Sequence, residues 1–150
     1  MAEVGFYHLT STPLERALPR LLERALAEGH RVVVMAGSDE RVAALDALLW
    51  SYSDASFLPH GTARDGNAPR QPVFLTAGDE NPNTATMLVL VDGAESAHVG
   101  DFKRVCDMFD GNDAAAVASA RGRWRAAKEA GHALTYLQQT ETGWEKRAGG

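Results

Sequence analysis

Short apolar runs alternate along this chain with segments whose apolar residues recur at helical spacing. The run Val4–Leu9 suits a first strand. The leucines that follow it recur every three or four residues and predict a helix over Leu14–Glu28. Thr12 is the candidate cap of this helix, Pro13 lies in its first turn, and Gly29 is its predicted stop.

Later apolar runs predict strands that are covered on both faces. Arg31–Ala36, Val73–Thr76 and Met87–Val91 are almost continuously apolar, which is typical of the inner strands of a parallel sheet. Phe102–Phe109 fits either a strand or a short helical turn, and we favour a strand around Arg104–Met108.

Two further helices are predicted between these strands. The first begins at the turn Gly37–Asp39 and runs to Trp50. The second is rich in alanine, is capped by Asp113 and runs to about Ala130.

The remaining segments are predicted to be connections, a last strand and a tail. Phe57–His60 should be extended, because the residue before a proline disfavours helix. Gly61–Gln71 is rich in glycine, proline and asparagine and is predicted as a loop. Ala133–Gln138 is a last short strand, and Gly143–Gly150 is predicted to be a frayed, flexible tail.

This order of elements predicts an α/β fold. Strands alternate with helices and the inner strands are apolar, so we expect a three-layer arrangement with a mainly parallel sheet and helices on both faces. A chain of 150 residues has the size of one ordinary domain, and we predict a single domain over residues 1–150.

Composition and charge narrow the classes of function. The chain has 15 Lys and Arg against 20 Asp and Glu, whereas a domain that grips phosphates is normally basic. Direct DNA binding is therefore not the first expectation, although a local basic patch could still bind an acidic peptide. Cys106 is the single cysteine and cannot form an internal disulfide. With neither a signal peptide nor a membrane-length apolar run, a cytoplasmic location is expected.

A nucleotide-using enzyme is one candidate on such a fold. The Gly37–Asp39 turn follows a buried strand, but neither dinucleotide-binding nor P-loop glycine spacing is present. A helix cap at Ser38 or Asp39 is the simpler interpretation. Asp92 ends a strand, where enzymes often place an acid, but it also begins an Asp-Gly turn. The five histidines are scattered, so we expect no catalytic site, metal or cofactor.

The most informative segment lies in the last predicted helix. Arg121, Trp124, Arg125 and Lys128 stand at positions i, i+3, i+4 and i+7 and so form one stripe. They could be a solvated helix face whose cations favour the C-terminal end of the helix dipole. A tryptophan beside clustered arginines instead favours a binding site for an acidic, partly apolar ligand.

A second set of large aromatic residues flanks the irregular connection after the second helix. Trp50 and Phe57 could be core residues, the usual fate of aromatics, or part of an apolar surface that faces a partner. From composition alone, the core interpretation is favoured.

Three segments resemble the chi subunit of bacterial DNA polymerase III holoenzyme. They are L-D-x-x-L-W over Leu45–Trp50, F-L-P-H-G over Phe57–Gly61 and R-x-R-W-R-x-x-K-E-x-G over Arg121–Gly131. The predicted strands also follow the order of that family, and the resemblance covers essentially the whole chain.

The resemblance implies a Rossmann-like accessory subunit of the clamp-loader complex without catalytic activity. Such subunits bind the acidic C-terminal tail of single-stranded-DNA-binding protein, which ends in a phenylalanine with a free carboxylate. Arg121, Trp124 and Arg125 match the tail-binding helix, and Lys128 extends the stripe by helix geometry.

The resemblance also implies a second partner surface. In some bacteria these subunits bind a psi subunit, which connects them to the clamp loader. Trp50 and Phe57, with Pro59 beside them, match the psi-facing aromatic surface. They could instead contact another partner, such as a helicase, or lie in the core.

Two alternatives from other classes remain open. One is a nucleotide-binding enzyme, which is favoured only by the parallel α/β pattern. The other is direct binding of single-stranded nucleic acid by Trp124 and the neighbouring arginines, since stacking combined with cations suits that ligand. We expect little such binding, because the chain as a whole is acidic.

Overall fold

The computed structural model describes residues 2–52, 59–140 and 143–149. Within these residues the strands are β1 (Glu3–Leu9), β2 (Val32–Met35), β3 (Gly61–Thr62), β4 (Val73–Thr76), β5 (Met87–Leu90), β6 (Arg104–Asp110), β7 (Ala133–Thr140) and β8 (Gly143–Gly149). The helices are α1 (Leu14–Ala27), α2 (Asp39–Ser51) and α3 (Ala114–Glu129). Single turns of 3-10 helix lie at Ala63–Asp65, Ala68–Arg70 and Val99–Asp101.

The strands form one mixed sheet in the order β3-β4-β2-β5-β6-β1-β7-β8. All neighbouring pairs are parallel except β7 and β8, which are antiparallel. The predicted strand around Arg104–Met108 is confirmed as β6, which begins at Arg104 and extends two residues further, to Asp110. The chain thus has the mainly parallel α/β architecture that its sequence predicts.

The helices pack on both faces of the sheet. Leu18 and Leu22 of α1 and Leu45 of α2 belong to one apolar cluster, together with alternate residues of the inner strands. On the opposite face, Ala120 of α3 belongs to a second cluster that includes Phe6. The three-layer prediction is confirmed, and α3 is alone among the described helices on its face.

Two of the predicted helix caps are confirmed and one is wrong. The Ser38 hydroxyl accepts a hydrogen bond from the Arg41 N–H, and the Asp113 carboxylate accepts from the first turn of α3. Thr12 does not cap α1, because Pro13 occupies the cap position and no side chain caps this end. The Thr12 N–H donates instead to Oε1 of Gln139 on β7.

The segment Gly61–Gln71 is more regular than a loop. Gly61 and Thr62 pair with β4 as the edge strand β3. The Thr62 hydroxyl then accepts from the Arg64 N–H while the Asp65 carboxylate accepts from the Thr62 N–H, which closes a 3-10 turn. The sequence prediction missed this strand, since two residues are too few to give a periodic signal.

The segment predicted as a frayed tail forms a strand where the structure describes it. Residues Gly143–Gly149 form β8, which pairs with β7, itself two residues longer than predicted. Trp144 holds the strand to the sheet, because its ring packs edge-on against Tyr7 with 5.1 Å between centroids. In the described part of the chain, no helix is long and apolar enough to cross a membrane.

Candidate functional site

The cationic stripe lies on the outer side of α3. Arg121, Arg125 and Lys128 are exposed, and we call these three residues the basic face of α3. Within residues 2–52, 59–140 and 143–149, none of the three forms an ion pair with a carboxylate. Their charges are therefore available to an external anion.

Two aromatic side chains, Trp124 and Tyr136, border the basic face, and we call them the aromatic wall. Trp124 is half-buried, as its place in the stripe predicts, and its ring lies edge-on to Phe6 on β1 at 5.3 Å and to Tyr136 on β7 at 6.0 Å. Burial raises the pKa of Tyr136, and the nearby Arg121 guanidinium opposes this rise. Trp124 and Tyr136 thus form an apolar surface beside the cations, and the sheet fixes its position.

Arg123 belongs to the core and not to the basic face, and sequence reasoning gave it no role. It lies on the flank of α3 that faces the sheet and makes a paired contact with Asp107 of β6, from Nε to Oδ2 at 2.5 Å and from Nη2 to Oδ1 at 3.1 Å. Burial raises the pKa of Asp107, and Arg123 opposes this rise. A charged residue in the middle of an apolar strand was the signal available in the sequence.

The second set of aromatic residues is partly exposed. Trp50 lies at the end of α2 with 60% of its surface accessible, so the core interpretation is wrong for this residue. Its ring lies 4.9 Å from that of buried His60. Pro59 is half-buried, whereas Phe57 lies outside the described residues.

An apolar strip continues from Trp50 along α2. Ala43 and Ala47 are exposed and stand two turns and one turn before Trp50, respectively, on the same side of the helix. Because α2 and α3 pack on opposite faces of the sheet, this strip and the basic face of α3 point in opposite directions. A ligand on one surface would leave the other free.

A cleft of about 680 Å³ opens at the carboxyl ends of the central strands, where α/β proteins commonly bind nucleotides. Its charged lining is dominated by carboxylates, which are Glu15, Asp92, Asp110 and Asp113. Two arginines also line the cleft, but Arg41 is bound to Glu15 at 3.0 Å and to Asp92 at 2.9 Å, and Arg123 is bound to Asp107. The cleft is therefore electrostatically unfavourable for phosphate.

Three consecutive backbone donors at this cleft are already occupied. The consecutive N–H groups of Thr10, Ser11 and Thr12 all donate to Oε1 of Gln139, at 2.9 to 3.1 Å. Asp92 adopts a positive φ of 56° and is followed by Gly93 with a φ of 76°, which confirms the Asp-Gly turn. Neither feature supports a catalytic acid or a phosphate cradle.

Other reactive groups give no alternative site. Cys106 is fully buried on β6, and burial raises the pKa of its thiol. Within the described ranges, no group of three or more His, Cys, Asp and Glu side chains could hold a metal ion. The basic face of α3 with its aromatic wall is therefore the candidate site.

Comparison with known proteins identifies related chains. A family model described as "DNA polymerase III chi subunit, HolC" matches residues 1–135. A Pseudomonas aeruginosa (strain PAO1) protein named "DNA polymerase III subunit chi" is 28% identical over 137 residues, which cover 89% of this chain and 94% of that protein. A Rickettsia prowazekii (strain Madrid E) protein named "Probable DNA polymerase III subunit chi" is 28% identical over 109 residues, which cover 73% of this chain and 66% of that protein.

Proposed function

Because this chain belongs to the DNA polymerase III chi subunit family, we propose that it binds the acidic C-terminal tail of single-stranded-DNA-binding protein through the basic face of α3. Membership of this family makes the chain a non-catalytic accessory subunit of the replicative polymerase. Binding the tail would connect that polymerase to the protein that coats single-stranded DNA.

The observation that supports this proposal most is that Arg121, Arg125 and Lys128 form no ion pair with a carboxylate among the described residues. Arginine holds a carboxylate with two parallel, charge-assisted hydrogen bonds, so two arginines one turn apart suit an acidic peptide. Neighbouring Trp124 and Tyr136 offer an apolar surface to a terminal phenylalanine. Burying that ring would contribute about 1.5–3 kcal/mol.

Fluorescence anisotropy with a labelled peptide of the tail sequence tests the proposal. Arg121→Ala and Arg125→Ala should each lower the affinity about ten- to a hundredfold, because a hydrogen bond to a charged group contributes about 1.5–3 kcal/mol. Arg24→Ala is the matched control, since Arg24 is an exposed cation on α1, on the opposite face of the sheet. Equal affinities of all three variants and the unmodified chain would exclude the basic face.

The peptide itself supplies two further controls. Removing its last phenylalanine should abolish most of the affinity, because the apolar contact and the position of the free carboxylate are both lost. Raising the salt concentration should weaken binding, since exposed charges are screened within about 10 Å at 0.1 M salt. A single-stranded oligonucleotide should bind weakly at physiological salt, and tight binding would favour the nucleic-acid alternative.

We propose that the second surface, formed by Trp50, Pro59 and the exposed alanines of α2, contacts a psi subunit or another part of the clamp loader. Its support is the 60% exposure of Trp50 on the face of the sheet opposite to α3. An adaptor needs two surfaces that can be occupied together. Trp50→Ala should weaken co-purification with the clamp loader and leave tail-peptide affinity unchanged; unchanged co-purification would remove Trp50 from the interface.

A further inference from the structure

A histidine pairs with the aromatic wall beside the basic face. Nδ1 of His8 on β1 lies 2.5 Å from the hydroxyl oxygen of Tyr136, and their ring centroids are 5.8 Å apart. Tyr136 in turn contacts Trp124, and its hydroxyl is close enough to Arg121 to be influenced by that charge. His8 is therefore linked to the basic face through a single side chain.

The position of the His8 ring is closely determined. Phe109 on β6 packs edge-on against it at 5.3 Å, and Tyr136 closes the side toward β7. On a third side lies the backbone of Gly111, where an added β-carbon would collide with the ring. Glycine is required at this position by the close approach of the imidazole, so the arrangement of these residues fixes the ring.

Among the described residues, two charged groups influence the protonation of His8 and Tyr136. The Asp110 carboxylate at the end of β6 favours protonation of His8, whereas Arg121 of α3 acts on the Tyr136 hydroxyl. Burial outweighs Asp110 and lowers the pKa of His8 below its usual value of 6.5. Above neutral pH the imidazole is therefore uncharged.

We propose that His8 and Tyr136 extend the anion site from α3 onto the sheet and make binding of an acidic peptide proton-linked. This inference rests on the proposed tail-binding function. In the tautomer of neutral His8 whose Nδ1 carries no proton, the Tyr136 hydroxyl uses its hydrogen in a hydrogen bond to Nδ1. When Nδ1 takes a proton from solvent it becomes the donor, and Tyr136 keeps its own hydrogen, which is then free to donate to a carboxylate bound at Arg121.

The direction of the effect follows from linkage. A bound carboxylate stabilises protonated His8, so the pKa of His8 is higher in the complex than in the free chain. The gain in affinity is complete below the pKa of free His8 and absent above the pKa of the complex. A difference of one unit between these two pKa values corresponds to a tenfold change in affinity, so affinity should rise about three- to tenfold as the pH falls from 8 through the pKa of His8.

The pH profile of anisotropy with the same labelled tail peptide tests this linkage. His8→Gln keeps a side chain able to accept from Tyr136 but cannot titrate in this range, and it should flatten the profile. Tyr136→Phe should also lose the gain in affinity at low pH, because it removes the hydroxyl that would donate to the bound carboxylate. His98→Gln is the matched control, because His98 is exposed and bound to Asp79 in a different part of the molecule, and it should keep the gain.

A direct titration of the unmodified chain does not depend on any variant folding correctly. Histidine ring NMR signals, assigned by through-bond correlation to the backbone signals of the unmodified chain, should show the pKa of His8 rising when saturating tail peptide is added. An unchanged His8 pKa, or the same gain in His8→Gln as in the unmodified chain, would overturn the linkage alone, provided that Arg125→Ala still weakens binding. Absence of peptide binding at every pH would instead overturn the proposed function.

Discussion

Arg123 and Arg121 lie two residues apart on α3, and the structure predicts opposite consequences of removing them. Arg123 is 8% exposed, and its guanidinium makes two hydrogen bonds to Asp107, which is 2% exposed, and one to the Ser119 hydroxyl. Arg123→Ala leaves the Asp107 carboxylate buried without a counter-charge. Removal of one partner of a buried ion pair costs about 3–5 kcal/mol of the free energy of unfolding.

This cost should appear as a clear fall in thermal stability. For a chain of 150 residues, 1 kcal/mol corresponds to about 2–4 °C in Tm, so Arg123→Ala should lower Tm by roughly 6–20 °C. Arg121→Ala removes only an exposed cation and should change the free energy of unfolding by about 0.5 kcal/mol or less. Thermal unfolding followed by circular dichroism measures Tm, and urea unfolding measures the free energy of unfolding of both variants.

The pH dependence identifies the cause. In Arg123→Ala the pKa of Asp107 rises further above its unfolded value, so the folded state binds a proton more tightly than the unfolded state. Such a group contributes stability at low pH that is lost as pH rises. The difference in free energy of unfolding between the variant and the unmodified chain should therefore become smaller from pH 8 to pH 5. The double variant Arg123→Met with Asp107→Leu, which removes both charges, should recover most of the lost stability.

Two results would refute this reasoning. Arg123→Ala could unfold at the same urea concentration as Arg121→Ala, which would mean that the buried pair adds nothing to stability. Alternatively, the loss could be the same at pH 5 and pH 8, which would mean that no carboxylate is left without its partner.

Three further outcomes are expected. Gly122→Ala should raise the free energy of unfolding by about 0.5–1 kcal/mol, as measured in urea, because this glycine lies inside α3 with no atom near its missing side chain. Burial raises the pKa of Tyr7 to about 12, so an ultraviolet titration should show a phenol that ionises near this value, and stability should fall as pH rises from about 10 toward it. Cys106 should react with a thiol reagent only on unfolding, since its thiol is buried and its pKa is raised.

The inner part of the fold could be predicted because its signals are local and strong. β2, β4 and β5 are short apolar runs bounded by turns, and the caps of α2 and α3 are set by one side chain each. The sheet edges could not be predicted, because an edge strand gains its hydrogen bonds from a neighbour distant in sequence. Thus β8, whose central residues are charged and exposed, gives no apolar periodicity of its own.

The candidate site was predictable to the extent that it depends on one helix. Helical spacing alone places Arg121, Trp124 and Arg125 side by side, and it predicts the half-buried position of the indole. Tyr136 and His8 join the site only because β1 and β7 are adjacent in the sheet, although these residues lie 128 positions apart in the chain. The exposure of Trp50 likewise depends on how α2 packs, which composition does not determine.

An NMR spectrum tests directly whether the tail peptide binds at the basic face of α3. The chain has three tryptophans and therefore three indole N–H signals. Trp124 lies beside the basic face of α3, Trp50 on α2 at the opposite face of the sheet, and Trp144 on the edge strand β8. Titration of the ¹⁵N-labelled chain with the tail peptide should shift the Trp124 signal and leave the other two in place. A shift of the Trp50 or Trp144 signal with the Trp124 signal unchanged would contradict binding at the basic face of α3.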